Sequence, residues 1–162
     1  VPFNSKKYKK RFSKDEASAL AEKFCAYQER CHKEVRTRLF EYGLASEDVE
    51  EVMMDLIQHG FLNEERFARS YARGKFRTKK WGRVKITREL KSRDISPYCI
   101  KKGMEEISDE AYDQTLNDLG EAYSIKTKEP DLFKKRGKVA AYLIRKGYET
   151  DLVWEWVKEF VY

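Results

Sequence analysis

The sequence is short of the residues that interrupt helices and of those that build cross-linked or metal-held folds. Three prolines and eight glycines are spread over 162 residues. So few breakers, beside many Glu, Lys, Arg, Leu and Ala, favour helix over sheet. No run of about 18 apolar residues occurs, which excludes an apolar membrane-spanning helix. Val-Pro-Phe-Asn-Ser followed by lysines has no apolar stretch of the kind a secretory signal needs. The first residue is Val rather than Met, so residues are expected to precede it in the natural chain. Cysteine is scarce and odd in number: Cys25, Cys31 and Cys99. That suits reduced thiols in a cytoplasmic protein better than a disulfide framework. Cys25, Cys31 and His32 fit no zinc spacing, and no second pair completes four ligands, so no metal site is expected. His59 precedes Gly60 at an expected helix end, where capping accounts for it.

Charge is abundant, and it is sorted. Charged residues make up 38% of the chain and the formal net charge is +6. Residues 1–14 hold six Lys/Arg and no acid, while residues 47–65 hold seven Asp/Glu and no Lys/Arg. Residues 66–102 hold fourteen Lys/Arg against Glu89 and Asp94. Residues 103–131 hold nine acids against Lys126 and Lys128. Blocks of one sign repel themselves and create fields that an evenly mixed surface does not, so the central block points to an acidic or phosphate-bearing partner.

Three segments align without a gap: Val35–Val49, Ile86–Ile100 and Val139–Val153. In each, a β-branched residue precedes a Leu by four: Val35–Leu39, Ile86–Leu90, Val139–Leu143. Four residues after the Leu comes a stop residue, Gly43, Asp94 or Gly147, and then an apolar one, Leu44, Ile95 or Tyr148. A β-branched residue follows ten after the Leu, at Val49, Ile100 and Val153. The apolar face continues through Met53, Met104 and Val157 to Leu56, Ile107 and Phe160. Spacing of four places side chains on one helix face, and a left-handed residue ends the helix. Ser46, Ser96 before Pro97, and Thr150 are the expected caps of the next helix.

The stretches between these pairs also read as helices. Residues 15–29 carry Leu20, Phe24 and Tyr27 at helical spacing; residues 63–77 carry Phe67 and Tyr71 behind a cap at Asn63. Residues 109–125 carry Tyr112, Leu116, Leu119 and Tyr123 behind Ser108 or Asp109. The expected fold is therefore all-α: three tandem three-helix repeats forming an elongated, curved molecule. The expected divisions are a basic, disordered tail at 1–14 and repeats at 15–60, 61–107 and 108–162.

The candidate site is the basic middle repeat: Arg69, Arg73, Lys75, Arg77, Lys79, Lys80, Arg83, Lys85 and Arg88, with Trp81 among them. Trp81 either stacks on a base or interface, or packs at the start of the basic helix. Of Trp154 and Trp156, one packs and the other is exposed, because the two cannot share a helix face. Glu50, Glu51, Asp55, Glu64 and Glu65 have no His or Lys base at close spacing, so no catalytic residue, cofactor or enzyme activity is expected. The cations lie on several faces of their helices, which suits phosphate contact more than base reading.

GFLNEERFARSYARGKF (60–76), KWGRVKITRELKSRDIS (80–96) and RKGYETDLVWEWV (145–157) stand in the order and spacing of the RecX regulators, which modulate the RecA recombinase. The chain resembles that family over residues 15–161, departing at Asp94, where Gly is common. The resemblance implies tandem three-helix repeats without enzymatic activity. It implies a monomer that lies in the groove of the RecA filament and limits its extension or promotes its disassembly. Strand exchange, co-protease activity and the SOS response would be restrained in consequence. Some such proteins also bind single- or double-stranded DNA. The alternative is a general DNA-binding protein that uses the basic central repeat.

Overall fold

The structure, a computed structural model, describes residues 11–162. Most of the expected basic tail, residues 1–10, lies outside the described residues. The described part is all-α, in nine helices. They are α1 Lys14–Tyr27, α2 His32–Glu41, α3 Ser46–Gln58, α4 Glu64–Gly74, α5 Arg83–Ser92, α6 Pro97–Met104, α7 Asp109–Lys126, α8 Leu132–Arg145 and α9 Thr150–Phe160. A π-helical segment, Lys75–Lys79, extends α4. In chain order these are three triplets: α1–α3, α4–α6 and α7–α9. The contacts group the described residues up to Phe67 and residues 68–162 into two compact units, with the division inside α4.

The three aligned segments form the same turn. Gly43, Asp94 and Gly147 all take positive φ, at 91°, 58° and 101°. At each, the N–H of the left-handed residue and that of its successor donate back into the helix. Gly43 and Leu44 donate to the carbonyls of Phe40 and Leu39, Asp94 and Ile95 to those of Lys91 and Leu90, Gly147 and Tyr148 to those of Ile144 and Leu143. This paired closure satisfies the last carbonyls of the helix and drops the next apolar residue onto the Leu that began the turn. Leu44, Ile95 and Tyr148 are accordingly buried, with Leu39, Leu90 and Leu143.

In residues 1–67, Val35, Leu39, Leu44, Val49, Val52, Met53, Leu56 and Leu62 form one core. Against it α1 presents Ala17, Ala21 and Cys25, with Phe24 partly buried at the edge, while Leu20 and Tyr27 stay out of it. Tyr27 is 84% exposed. Small side chains let α1 approach closely, and Tyr27 is left outside. The other side of Phe24 is covered by two guanidinium groups, Arg30 at 3.7 Å and Arg38 at 4.6 Å from the ring centroid. The fold begins ahead of Asp15: Phe12 packs edge-on to Tyr42 at 5.4 Å, and Ser13 closes a capping box with Glu16. Cys31 caps α2 through Glu34, and burial pushes the Cys25 thiol up to about 11, so it stays protonated and unreactive.

In residues 68–162, Ile86, Leu90, Ile95, Ile100 and Ile107 fill the middle triplet, and Tyr112, Leu116, Val139, Leu143, Tyr148, Val153 and Val157 the last. Trp156 is buried against Gly120 and donates from Nε1 to Asn117 Oδ1 at 3.0 Å, while Trp154 is exposed. Phe160, expected on the buried face, lies at the fraying end of α9 and is 44% exposed. Two expected caps are displaced by one residue. The N-caps are Ala45 and Glu149, so Ser46 and Thr150 open their helices rather than cap them. Glu149 is held there by a hydrogen bond from the Tyr112 hydroxyl. Ser96, Ser108 and Asn63 accept from the N–H groups of Cys99, Ala111 and Arg66.

Two outcomes test this packing. Asp94→Gly relieves a left-handed Asp and is expected to raise stability by about 0.5–1 kcal/mol, whereas Gly147→Ala lowers it by about 2 kcal/mol or more; urea unfolding reads both. The half-buried His32 ring has its pKa lowered, chiefly by desolvation, with Glu64 opposing and Arg36 assisting, and its Nε2 has no hydrogen-bond partner. A depressed histidine pKa means that the unfolded chain takes up the proton first. Stability is therefore full above about pH 6.5 and falls as pH drops through the folded-state value. In thermal unfolding from pH 7.5 to 5, His32→Gln is expected to flatten this part of the decline.

Candidate functional site

The basic block is organised by one reversal of the chain. After α4 the backbone widens into the π-helical segment, and Lys80 then takes φ 59°, a left-handed value that a side chain adopts at some cost. The N–H groups of Lys80 and Trp81 donate back to the carbonyls of Phe76 and Lys75. Gly82 then caps α5.

The start of α5 is fastened to the α8–α9 turn. Gly82 N–H donates to the Lys146 carbonyl at 2.8 Å and Val84 N–H to that of Gly147 at 2.9 Å. In return Lys146 Nζ and the Tyr148 hydroxyl donate to the carbonyls of Lys79 and Lys80, both at 3.0 Å. Gly82 and the Gly147 backbone pack so closely that a Cβ on Gly82 would collide with the Gly147 carbonyl. Beneath them Tyr112 accepts from Arg83 N–H at 3.0 Å and donates to Glu149 Oε2 at 2.7 Å. Burial, with Glu149 alongside, holds the Tyr112 hydroxyl well above the usual tyrosine range, so it remains a donor. Phe76 stacks on Tyr112 at 6.0 Å and Tyr148 lies 5.0 Å beyond.

This frame divides the candidate residues into two sets. Arg69 pairs with Glu105 and Glu106, and Arg73 with Glu106. Arg83 pairs with Asp109 at 2.7 Å and lies over the Tyr112 ring at 4.0 Å. Trp81 is half-buried 6.5 Å from Tyr71, with the ammonium groups of Lys75 and Lys85 at 5.1 and 4.5 Å from its ring centroid. Packing at the helix start is thus what Trp81 does here. Arg77, Lys79, Lys80 and Arg88 are exposed, and none joins an ion pair among the described residues. They are the cations directed to solvent.

Four contributors escaped the sequence reading. Val84, Thr87 and Lys91 share one face of α5 with Arg88, and with Arg83, Met104 and Glu149 they line an open groove of about 600 Å3. The helical spacing 84–87–88–91 was a signal that could have found them. Arg93 lies over Tyr71 at 4.9 Å and pairs with Glu89.

The comparisons with known proteins agree with this architecture. Residues 63–104 match the family model for the second three-helix domain of RecX, and residues 110–157 match the model for its third three-helix domain. The chain belongs to the RecX family. It is 31% identical over 121 residues to the regulatory protein RecX of Clostridium perfringens (strain 13 / Type A), covering 74% of this chain and 56% of that protein. It is 29% identical over 131 residues to the regulatory protein RecX of Listeria monocytogenes serotype 4a (strain HCC23), covering 80% and 48%. The chain therefore spans about half the length of these relatives. Among solved structures, RecX from Lactobacillus salivarius superposes with a TM-score of 0.81 at 21% identity, covering 90% of this chain and 95% of that one. The RecX regulators are a regulatory family, and the fold is their tandem array of three-helix domains. No described helix is long and apolar enough to cross a membrane.

Tyr112→Phe removes one hydroxyl that serves two half-buried partners. It is expected to cost about 1–3 kcal/mol, read as a lower urea midpoint at unchanged slope.

Proposed function

We propose that this chain is a non-enzymatic regulator that binds RecA–DNA filaments and restrains their growth. Family membership supports the regulatory role. The observation that carries the proposed contact is the exposed set Arg77, Lys79 and Lys80, on a connection fastened at its Lys79–Val84 end by hydrogen bonds to the α8–α9 turn, with Arg88 on the helix that follows. Such a set is positioned for phosphates or carboxylates without having to be ordered first. A filament of recombinase on DNA presents both. In this reading the protein acts as a cytoplasmic monomer without a cofactor, lies in the filament groove, and meets DNA mainly through phosphates. Its effects on strand exchange, SOS co-protease activity and ATP hydrolysis all follow from filament length.

A general DNA-binding protein is the second reading, favoured by the excess of cations over acids in residues 66–102. The two readings part on one measurement. A filament regulator is expected to slow ATP hydrolysis by RecA on single-stranded DNA at substoichiometric ratios. No slowing at any ratio, with tight and steeply salt-dependent DNA binding when RecA is absent, would instead select the second. Replacing Arg77, Lys79, Lys80 and Arg88 together by Ala is expected to leave far-ultraviolet helicity unchanged and to weaken inhibition about tenfold or more. Unchanged inhibition would move the contact elsewhere.

A further inference from the structure

A second basic surface lies at the turn between α7 and α8, and none of the expected site residues belongs to it. We infer that this turn is a platform for single-stranded nucleic acid, with Phe133 stacking on a base and the lysines around it contacting phosphates.

The first ground is what is exposed. Phe133 is 88% exposed and Ile125 83%, with Leu132 beside Phe133 also in solvent. Phe133 and Ile125 stand at the ends of two helices that pack well elsewhere, and neither enters the core. Tyr123 and Tyr142 close the interface between α7 and α8, stacked at 4.0 Å with their planes within 3°.

The second ground is that the turn is rigid. The Thr127 hydroxyl donates to the Tyr123 carbonyl at 2.7 Å and closes α7. Asp131 accepts from Lys134 N–H at 2.9 Å and caps α8. Glu129 accepts from Asp131 N–H and pairs with Lys138 at 2.8 Å. Phe133 is the second residue of α8, so its backbone is fixed by that cap. A backbone already held by its cap loses little further freedom when the ring it carries stacks.

The third ground is charge. Both acids of the turn are engaged within it: the Glu129 side chain is only 16% exposed, tied to Lys138, and Asp131 holds the helix cap. Lys126, Lys128, Lys134 and Lys135 enter no ion pair among the described residues. The surface is thus more positive than its sequence suggests. One exposed aromatic ring flanked by lysines suits a single strand, whose bases are unstacked and whose phosphates lie close by. A duplex offers this surface phosphates but no free base face.

The inference goes beyond the filament reading and is tested with RecA absent, so either can fail alone. Binding of labelled oligothymidylate and of an abasic phosphodiester strand of equal length is measured by anisotropy across a salt series. Phe133→Ala is expected to weaken oligothymidylate binding roughly fivefold or more and to leave abasic-strand binding unchanged. Replacing Lys126, Lys128, Lys134 and Lys135 by Ala is expected to weaken both strands and to flatten the log–log salt slope by roughly 2 to 3. Circular dichroism and the thermal midpoint confirm that the variants fold; Phe133→Ser serves where the Ala variant does not. Oligothymidylate binding unaffected by Phe133→Ala, or equal losses on both strands, would overturn the stacking role. Loss of sedimentation with phosphatidylglycerol vesicles, with DNA binding unaltered, would overturn it in favour of a lipid surface.

Discussion

The close approach of the Gly82 backbone to the Gly147 backbone governs residues 68–162. It leaves no room for a side chain on Gly82, and it brings the start of α5 within hydrogen-bond reach of the α8–α9 turn. Four hydrogen bonds cross the junction, and the Tyr112 hydroxyl holds Arg83 N–H and Glu149 below it. Two of the backbone carbonyls that end the reversal, at Lys79 and Lys80, are satisfied by side chains from the last triplet. Without those partners the left-handed Lys80 and the widened turn before it would lack compensation. The geometry of the middle triplet's basic surface is therefore set by the triplet that follows it.

This arrangement explains why a charge block is not a binding site in itself. Ten residues of the block were candidates from their position in the sequence. Arg69, Arg73 and Arg83 are spent on neighbouring carboxylates, and Lys75, Trp81 and Lys85 on one another. What is left, Arg77, Lys79, Lys80 and Arg88, is smaller and more sharply placed. Surface ion pairs contribute little stability singly, so the Arg83–Asp109 pair matters less than the backbone N–H that Arg83 donates to Tyr112 and the place of its guanidinium over the Tyr112 ring.

The repeat was legible because it rests on local rules. Four-residue spacing, a left-handed stop and an apolar successor are read within about fifteen residues, and each structural counterpart of Gly43, Asp94 and Gly147 closes with the same pair of backbone hydrogen bonds. Asp94 needed no glycine because its side chain tolerates the left-handed region. The reading of α1 failed where it used size as a proxy for burial. Large Leu20, Phe24 and Tyr27 drew the apolar face, but a close helix contact selects Ala17, Ala21 and Cys25, and of the three larger residues only Phe24 reaches the core, at its edge. The caps at Ala45 and Glu149 were missed because capping preference is a statistical tendency, and Glu149 is placed by Tyr112, 37 residues away.

The sequence by itself determined the all-helical class, the three triplets, the turns that join α2 to α3, α5 to α6 and α8 to α9, and the family. All of these depend on patterns a few residues long. Only the tertiary structure decided which cations face solvent, why Trp81 is packed, and that the Thr127–Asp131 turn presents lysines and Phe133 while using its own acids internally. Charge and apolarity are properties of residues, but availability is a property of their neighbours, and most of those neighbours are distant in sequence.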